Sequence, residues 1–181
     1  CSSSLAAVHA AGTAVHGCEC DLALAMAVSL ILEAQSTVGA AVVGMLAFDG
    51  RCKTLDVSAN GYTRSESVGA ATLQKADAGI KTAVLDGSLV RQDGRSASLT
   101  APSGPQQQAL IVAALIDGGV SASDLALVET HGTGTALGDP IEAGSLGGSV
   151  LDARAPEPAL AVGGVKANIG HAEPAAGTTG L

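Results

Sequence analysis

An α/β chain with a layered sheet is what three features of the sequence predict. Short apolar runs alternate with helical patterns from one end to the other, several runs are apolar at nearly every position, and the side chains are small. Continuous Ala/Val/Leu runs bounded by turn signals suit strands covered on both faces, the arrangement found when helices are layered on a sheet. Of the 181 residues, 47% are hydrophobic and 14% charged. Such a chain can bury a core and is not an acidic disordered tail.

The elements follow in order. Ser2 to His16 is predicted helical: Leu5, Val8, Ala11 and Val15 lie near one face, and Gly17 stands where a C-cap is expected. Asp21 to Leu32 reads as a strand buried on both faces. Gln35 to Asp56 reads as loop-rich, with a turn at Asp49-Gly50. Val68 to Gln74 and Thr82 to Val90 read as strands joined by a short polar helix, and Gln92 to Pro105 as a polar loop. Pro105 to Gly118 is a helix with proline in its first turn and Gly118-Gly119 at its end. A helical turn at Ser121 to Asp124 precedes a short buried strand, Leu125 to Glu129, and a glycine-rich loop, His131 to Gly138. Asp139-Pro140-Ile141-Glu142 then opens a helix with an N-cap, a first-position proline and a glutamate in the first turn. Leu160 to Val165 is the last strand. A loop after it carries Lys166, Asn168 and His171, and the chain turns helical from Ala172.

Composition narrows the function. Nine Lys and Arg against 17 Asp and Glu leave a net charge of −8, without the basic footprint of a nucleic-acid binder. Phe48 and Tyr62 are the sole Phe, Tyr or Trp residues, too few for base or sugar stacking. No apolar run approaches the roughly 18 residues of a membrane span. Cys1, Cys18, Cys20 and Cys52 do not read as a secreted disulfide scaffold. Cys18-x-Cys20 beside His9 and His16 matches no common zinc spacing, so small structural thiols are the plainer reading. The chain starts at Cys1 and stops at Leu181, and both ends look cut, so no targeting segment is readable.

Chemically capable groups gather where strands meet loops. Cys1 precedes a helix, whose amides and dipole favour a thiolate. His131 and His171 leave two strand-loop units and are candidates to converge on one pocket, where imidazoles donate to a developing oxyanion. His9 and His16, seven apart on the first helix, read as packing residues. Gly132 to Gly138 lacks the lysine ending of a P-loop and does not fit G-x-G-x-x-G. Asp139 and Glu142 are explained by helix capping or, less simply, as an acid/base pair. Lys166 is either an amine of the site or the partner of a nearby carboxylate.

Five segments in order carry a resemblance. CSSSL (Cys1 to Leu5), DGRC (Asp49 to Cys52), QDGRSASLTAPSGPQQQ (Gln92 to Gln108), VETHGTGTALGDPIEA (Val128 to Ala143) and VKANIGHAEPAAG (Val165 to Gly177) resemble β-ketoacyl synthase domains of the polyketide synthase type. The resemblance implies a thiolase-like fold of α-β-α-β-α layers, here as a partial domain over residues 1–181. It also implies a decarboxylative Claisen condensation with Cys1 as acyl carrier and His131 and His171 as catalytic histidines. Lys166 would order the histidine loops through a carboxylate such as Glu142, with Asp139 in support. Further implied are substrates on the phosphopantetheine of an acyl carrier protein, acyl and malonyl-type thioesters, no metal or directly bound cofactor, a homodimer and a cytoplasmic setting. Ser65-Glu66-Ser67 departs from the usual Gly-Glu-Gly, and Arg91 and Ser98 from Asn and Gly, so those loops are expected to differ in shape. A papain-like protease fits only Cys1 and His131. A fatty-acid-type condensing enzyme or a non-catalytic ketosynthase-like partner remains the alternative.

Overall fold

Small side chains decide how the first helix meets the first sheet. In the computed structural model, which describes residues 1–76, 83–98, 100–156 and 158–181, α1 (Ser3–His16) leads into β1 (Leu22–Ser29), which pairs antiparallel with β2 (Ser67–Gln74). The face carrying Ala23, Ala25, Ala27, Gly69 and Ala71 receives α1 and, from the far end of the chain, α6 (Ala176–Gly180). Alanines and glycines keep that face thin, so the helices approach closely. The approach is tightest at Gly177, where a Cβ would meet Leu5 Cγ at 2.5 Å and the Leu5 amide at 3.0 Å. The buried Ser4 hydroxyl accepts the Thr178 amide at 3.1 Å and ties the two helices together.

The second half packs around β3 (Leu127–Glu129) and β4 (Ala161–Gly163), a parallel pair. Ala122, Leu146 and Val150 form the core there, with Ile111, Leu115, Leu125, Val128 and Leu160 against them. These residues come from α3 (Gly104–Asp117), the 3₁₀ turn that follows it, β3 and the residues just before β3 and β4, α4 (Gly138–Leu146) and the π-turn Gly147–Leu151 that continues α4. The 3₁₀ turn Ala122–Asp124 has a reciprocal cap: the Asp124 carboxylate takes the Ser121 amide and hydroxyl. A short helix α5 (Lys166–Ile169) leads to His171.

Several expectations change. Gln35 to Asp56 is not all loop: α2 (Ala34–Val42) occupies its first part. Residues 83–90 hold no strand, and most of the polar helix expected before them lies outside the described residues. Gly17 caps α1 without a left-handed turn. Cys18 takes that conformation instead, at φ +60°, while Glu19 donates back to the Ala14 carbonyl at 2.9 Å. Ser65, Ser67, Arg91 and Ser98 have no positive φ, so these departures from glycine or asparagine impose no left-handed strain. His9 hydrogen-bonds Ser88 Oγ at 2.9 Å, and the Cys18, Cys20, His9 and His16 grouping does not assemble among the described residues.

The largest correction concerns β1 and β3. Neither is buried on both faces. Leu22, Leu24, Met26 and Val28 stand on the open face of the first sheet, Leu24 59% and Met26 61% exposed, with Val68 beside them on β2. An uncovered apolar sheet face of this kind associates with other surfaces. Produced by itself, the 181-residue chain should bind a hydrophobic dye and sediment as aggregates, and Leu24→Lys with Met26→Lys should raise its soluble fraction. A monodisperse, dye-silent chain would overturn that expectation.

Candidate active site

Three segments bring their side chains to one point. Cys1 lies at the N-terminal end of α1. His131 follows β3, whose pairing is prolonged when Thr130 donates both its amide, at 2.9 Å, and its hydroxyl, at 2.8 Å, to the Gly163 carbonyl. His171 follows α5 and Gly170, whose φ of +81° lets the chain reverse. Its backbone is then clamped: the His171 amide donates to the Thr63 carbonyl at 2.8 Å, and the Ser65 amide donates to the His171 carbonyl at 3.0 Å. The Cys1 thiol, His131 and His171 ligand atoms fall within 4.8 Å of one another, with Cys1 Sγ 3.1 Å from His171 Nε2. The two imidazoles meet edge to face, centroids 5.5 Å apart at 87°.

Hydrogen bonding fixes which nitrogen of His171 carries the proton. Nδ1 accepts the Glu173 amide at 3.1 Å. A nitrogen that accepts has no proton, so in the neutral ring Nε2–H is the donor, and it faces the thiol. Neutrality follows from the surroundings. His171 is 1% exposed, and burial first, then the neighbouring His131 and Lys166 charges, bring its pKa down to about 3. His131 keeps a solvent-facing edge yet stands among many protein atoms. Their desolvation, followed by the Lys166 charge, lowers it to about 4. The same tautomer suits a metal poorly, because ligation through Nε2 would turn an Nδ1–H against the Glu173 N–H.

The glycine-rich loop between β3 and α4 is held from inside by two carboxylates. Glu142 accepts the His131 amide at 2.5 Å and the Gly132 amide at 2.8 Å. Asp139, 4% exposed, accepts the amides of Gly134 at 3.1 Å, Thr135 at 3.3 Å and Leu55 at 2.7 Å. With Gly138 donating to Thr135 Oγ1, the amides of His131, Gly132, Gly134, Thr135 and Gly138 are all spent inside the protein, not turned out as a phosphate cradle turns them. Two expectations are thereby corrected. Asp139 sits inside the first turn of α4 and binds the preceding loop, not the helix N-terminus. Glu142 makes no ion pair with Lys166 among the described residues; it holds the His131 backbone directly. Lys166 is buried, and that burial lowers its pKa against the opposing pull of Glu129 and Glu142. Cys52 is a buried structural thiol between the Thr63 amide and carbonyl, and burial raises its pKa.

Sequence reasoning missed Tyr62, Arg64 and Glu173. Tyr62 packs edge-on against His171 at 5.0 Å and 70° and donates to Glu173 Oε1 at 3.3 Å, while Arg64 pairs with Glu173 at 3.0 Å. A lone tyrosine in an almost aromatic-free chain was the available signal.

Known proteins resemble this chain along its whole length. Residues 1–78 match the family model "Beta-ketoacyl synthase, N-terminal domain" and residues 82–181 the "Beta-ketoacyl synthase, C-terminal domain". Among curated proteins, the chain is 46% identical over 186 residues to a phenolphthiocerol/phthiocerol polyketide synthase of Mycobacterium tuberculosis, covering 100% of this chain and 8% of that one. It is 45% identical to "Erythronolide synthase EryA3" of Saccharopolyspora erythraea, covering 100% and 6%. Among solved structures, an oxazolomycin ketosynthase domain of Streptomyces albus superposes with a TM-score of 0.95 at 35% identity, over 100% of this chain and 32% of that chain. The module 6 ketosynthase of the Bacillus subtilis bacillaene synthase gives 0.94 at 38%, over 99% and 33%. The chain thus spans under a tenth of these curated relatives and about a third of the solved domains, whose thiolase-like α/β fold it shares.

Both histidines have folded-state pKa values below the ordinary 6.5. As pH falls from 6.5 towards 4, the unfolded chain takes up protons that the folded site refuses, so stability is full above about pH 6.5 and is lost below it. In the full-length protein, thermal unfolding of this region should shift down between pH 6.5 and 4, and His171→Gln should flatten that slope. An unchanged slope would mean that His171 is not held neutral.

Proposed function

The chain belongs to the β-ketoacyl synthase family, and from that premise we propose that it carries the three reacting side chains of a polyketide-type ketosynthase. One observation carries the reading: Cys1, His131 and His171 come from three distant segments and meet within 4.8 Å, with an Nε2–H aimed at the thiol. In this reading residues 1–181 are part of a ketosynthase domain in a longer, cytoplasmic synthase, which acts as a homodimer.

Cys1 is the nucleophile. Its sulfur attacks the carbonyl carbon of an acyl thioester on the phosphopantetheine arm of an acyl carrier protein. The carrier sulfur leaves and takes a proton, and the acyl chain stays on Sγ. A malonyl-type thioester on a carrier then enters. Its bond to the carboxylate carbon breaks, carbon dioxide departs, and the electron pair passes into an enolate. The enolate oxygen accepts hydrogen bonds from His131 and His171, which stabilises charge as it develops. The enolate carbon attacks the acyl-cysteine carbonyl, the new carbon–carbon bond forms, and the Cys1 sulfur leaves and regains a proton. Neutral imidazoles suit this role, since they donate without being consumed as acids. Glu142 and Asp139 hold the His131 loop in place, and Lys166 adds a buried positive charge near both rings. The electron sink is the thioester itself. A fatty-acid-type enzyme would run the same steps; the polyketide reading is supported by the relatives named above.

In the full-length protein, Cys1→Ala should abolish the acyl adduct seen by intact-mass measurement, and an adduct surviving on another cysteine would overturn the nucleophile. Cys1→Gln should stop condensation yet release carbon dioxide from a malonyl carrier. His131→Ala and His171→Ala should each slow that release by about two to three orders of magnitude, while acyl loading suffers less. Release at the wild-type rate in both would leave the histidines as loop supports.

A further inference from the structure

Behind His171, away from Cys1, lies a charged network that takes no part in the bond changes of the condensation. Arg64 grips Glu173 in a fork: Nε donates to Oε1 at 3.1 Å and Oε2 at 3.2 Å, and Nη2 donates to Oε2 at 3.0 Å. Its remaining Nη1 donates to Ser36 Oγ at 2.9 Å and Thr37 Oγ1 at 2.7 Å in the first turn of α2. Tyr62 Oη donates to Glu173 Oε1 at 3.3 Å. The pair is largely shielded, with side-chain exposures of 11% for Arg64 and 24% for Glu173, so it is stiffer than a surface ion pair.

Glu173 has an unusual backbone. Its φ is +44°, a region that a residue with a side chain enters only when its surroundings hold it there. Ala172, at φ −81° and ψ 23°, aims the Glu173 amide back onto His171 Nδ1, two residues earlier, and the positive φ of Glu173 sets the direction in which its side chain leaves that amide to meet Arg64. Arg64 itself sits between Thr63 and Ser65, the two residues whose backbones clamp His171. One short segment therefore fixes the histidine backbone through its main chain and the tautomer through its side chain.

We propose that Arg64 and Glu173 are a positioning pair for His171. The ion pair, steadied by Tyr62, keeps Glu173 in its left-handed conformation, its amide on Nδ1, and hence the proton on Nε2 where it faces Cys1. Neither residue touches the reacting atoms. The proposal rests on the reading of Cys1 and His171 as a nucleophile and its donor, and its test is chosen to separate the two.

Alkylation of Cys1 by iodoacetamide needs no carrier and no condensation. Followed by peptide mass spectrometry across pH in the full-length protein, it reports how well Nε2–H supports the thiolate. The charged and titratable groups facing His171 are Cys1 at the head of α1, His131 from the loop before α4, Lys166 on α5, and Tyr62, Arg64 and Glu173 behind it. Arg64→Ala and Glu173→Gln should each slow alkylation at neutral pH several-fold and move its midpoint to higher pH, and Arg64→Lys should restore part of the effect. The double variant should do no more harm than either single one, as expected of groups acting as a unit. Decarboxylation of a malonyl carrier should fall by about ten- to a hundred-fold, as for other hydrogen-bonded supports of a histidine, with KM within about twofold. Glu173→Gln keeps the side-chain volume, so it guards against a variant that merely unfolds. An unmoved alkylation midpoint in correctly folded Arg64→Ala and Glu173→Gln would overturn the positioning role, whatever the wild type does with malonyl carriers. A wild type that alkylates as expected but releases no carbon dioxide would sink the ketosynthase reading and leave the positioning pair standing.

Discussion

A neutral imidazole donates from one nitrogen only, and what occupies the other decides which. In this chain the deciding contact is the Glu173 amide on His171 Nδ1, and the segment Tyr62 to Ser65 together with His131 encloses the ring that receives it. The ring is buried, so protonation is suppressed and the tautomer question has a single answer. Its backbone is sewn to Thr63 and Ser65, so it is held in register against Arg64. Tyr62 closes one side edge-on, and His131 stands perpendicular on another. A ring so surrounded has little rotational freedom left, and the entropy of holding it has been met by folding before any substrate arrives.

The other two members of the cluster are positioned by different means. Cys1 depends on where α1 lies, and α1 is set by the thin alanine face of the first sheet and by the Ser4–Thr178 tie to α6. Gly177 is the point at which any side chain would force α1 and α6 apart. His131 depends on two carboxylates that reach back from α4. Anions buried beneath a loop are costly unless amides or cations meet them; here the amides of His131, Gly132, Gly134, Thr135 and Leu55 do so. The two carboxylates, which the sequence reads as helix caps or, less simply, as an acid/base pair, hold the backbone of the preceding loop.

What was legible in the sequence had local causes. The helix from Ser3, the strand from Ser67 and the helix from Gly104 follow from periodicity and from proline and glycine punctuation within the segment itself. The Cys1, His131 and His171 set was legible because each sits in a segment with specific wording. The open Leu22, Leu24, Met26 and Val28 face was not, because an apolar run looks the same whether one face or both are covered. The helix at Ala34–Val42 was missed because its own apolar pattern is weak: it buries no residue, and Arg64 holds its first turn through Ser36 and Thr37. Arg64 and Glu173 escaped for a similar reason. They lie 109 residues apart, and nothing in either segment names the other.

Helix α4 carries both carboxylates of the His131 loop, so loop and helix form a single lever whose fulcrum is the Leu146–Val150 core. The short arm ends at an imidazole; the long one runs along α3, against which α4 packs. The place of the imidazole is therefore settled as much by how α4 seats on Ile111 and Leu115 as by the loop that carries the histidine, because the carboxylates that hold His131, Gly132, Gly134 and Thr135 ride on that helix.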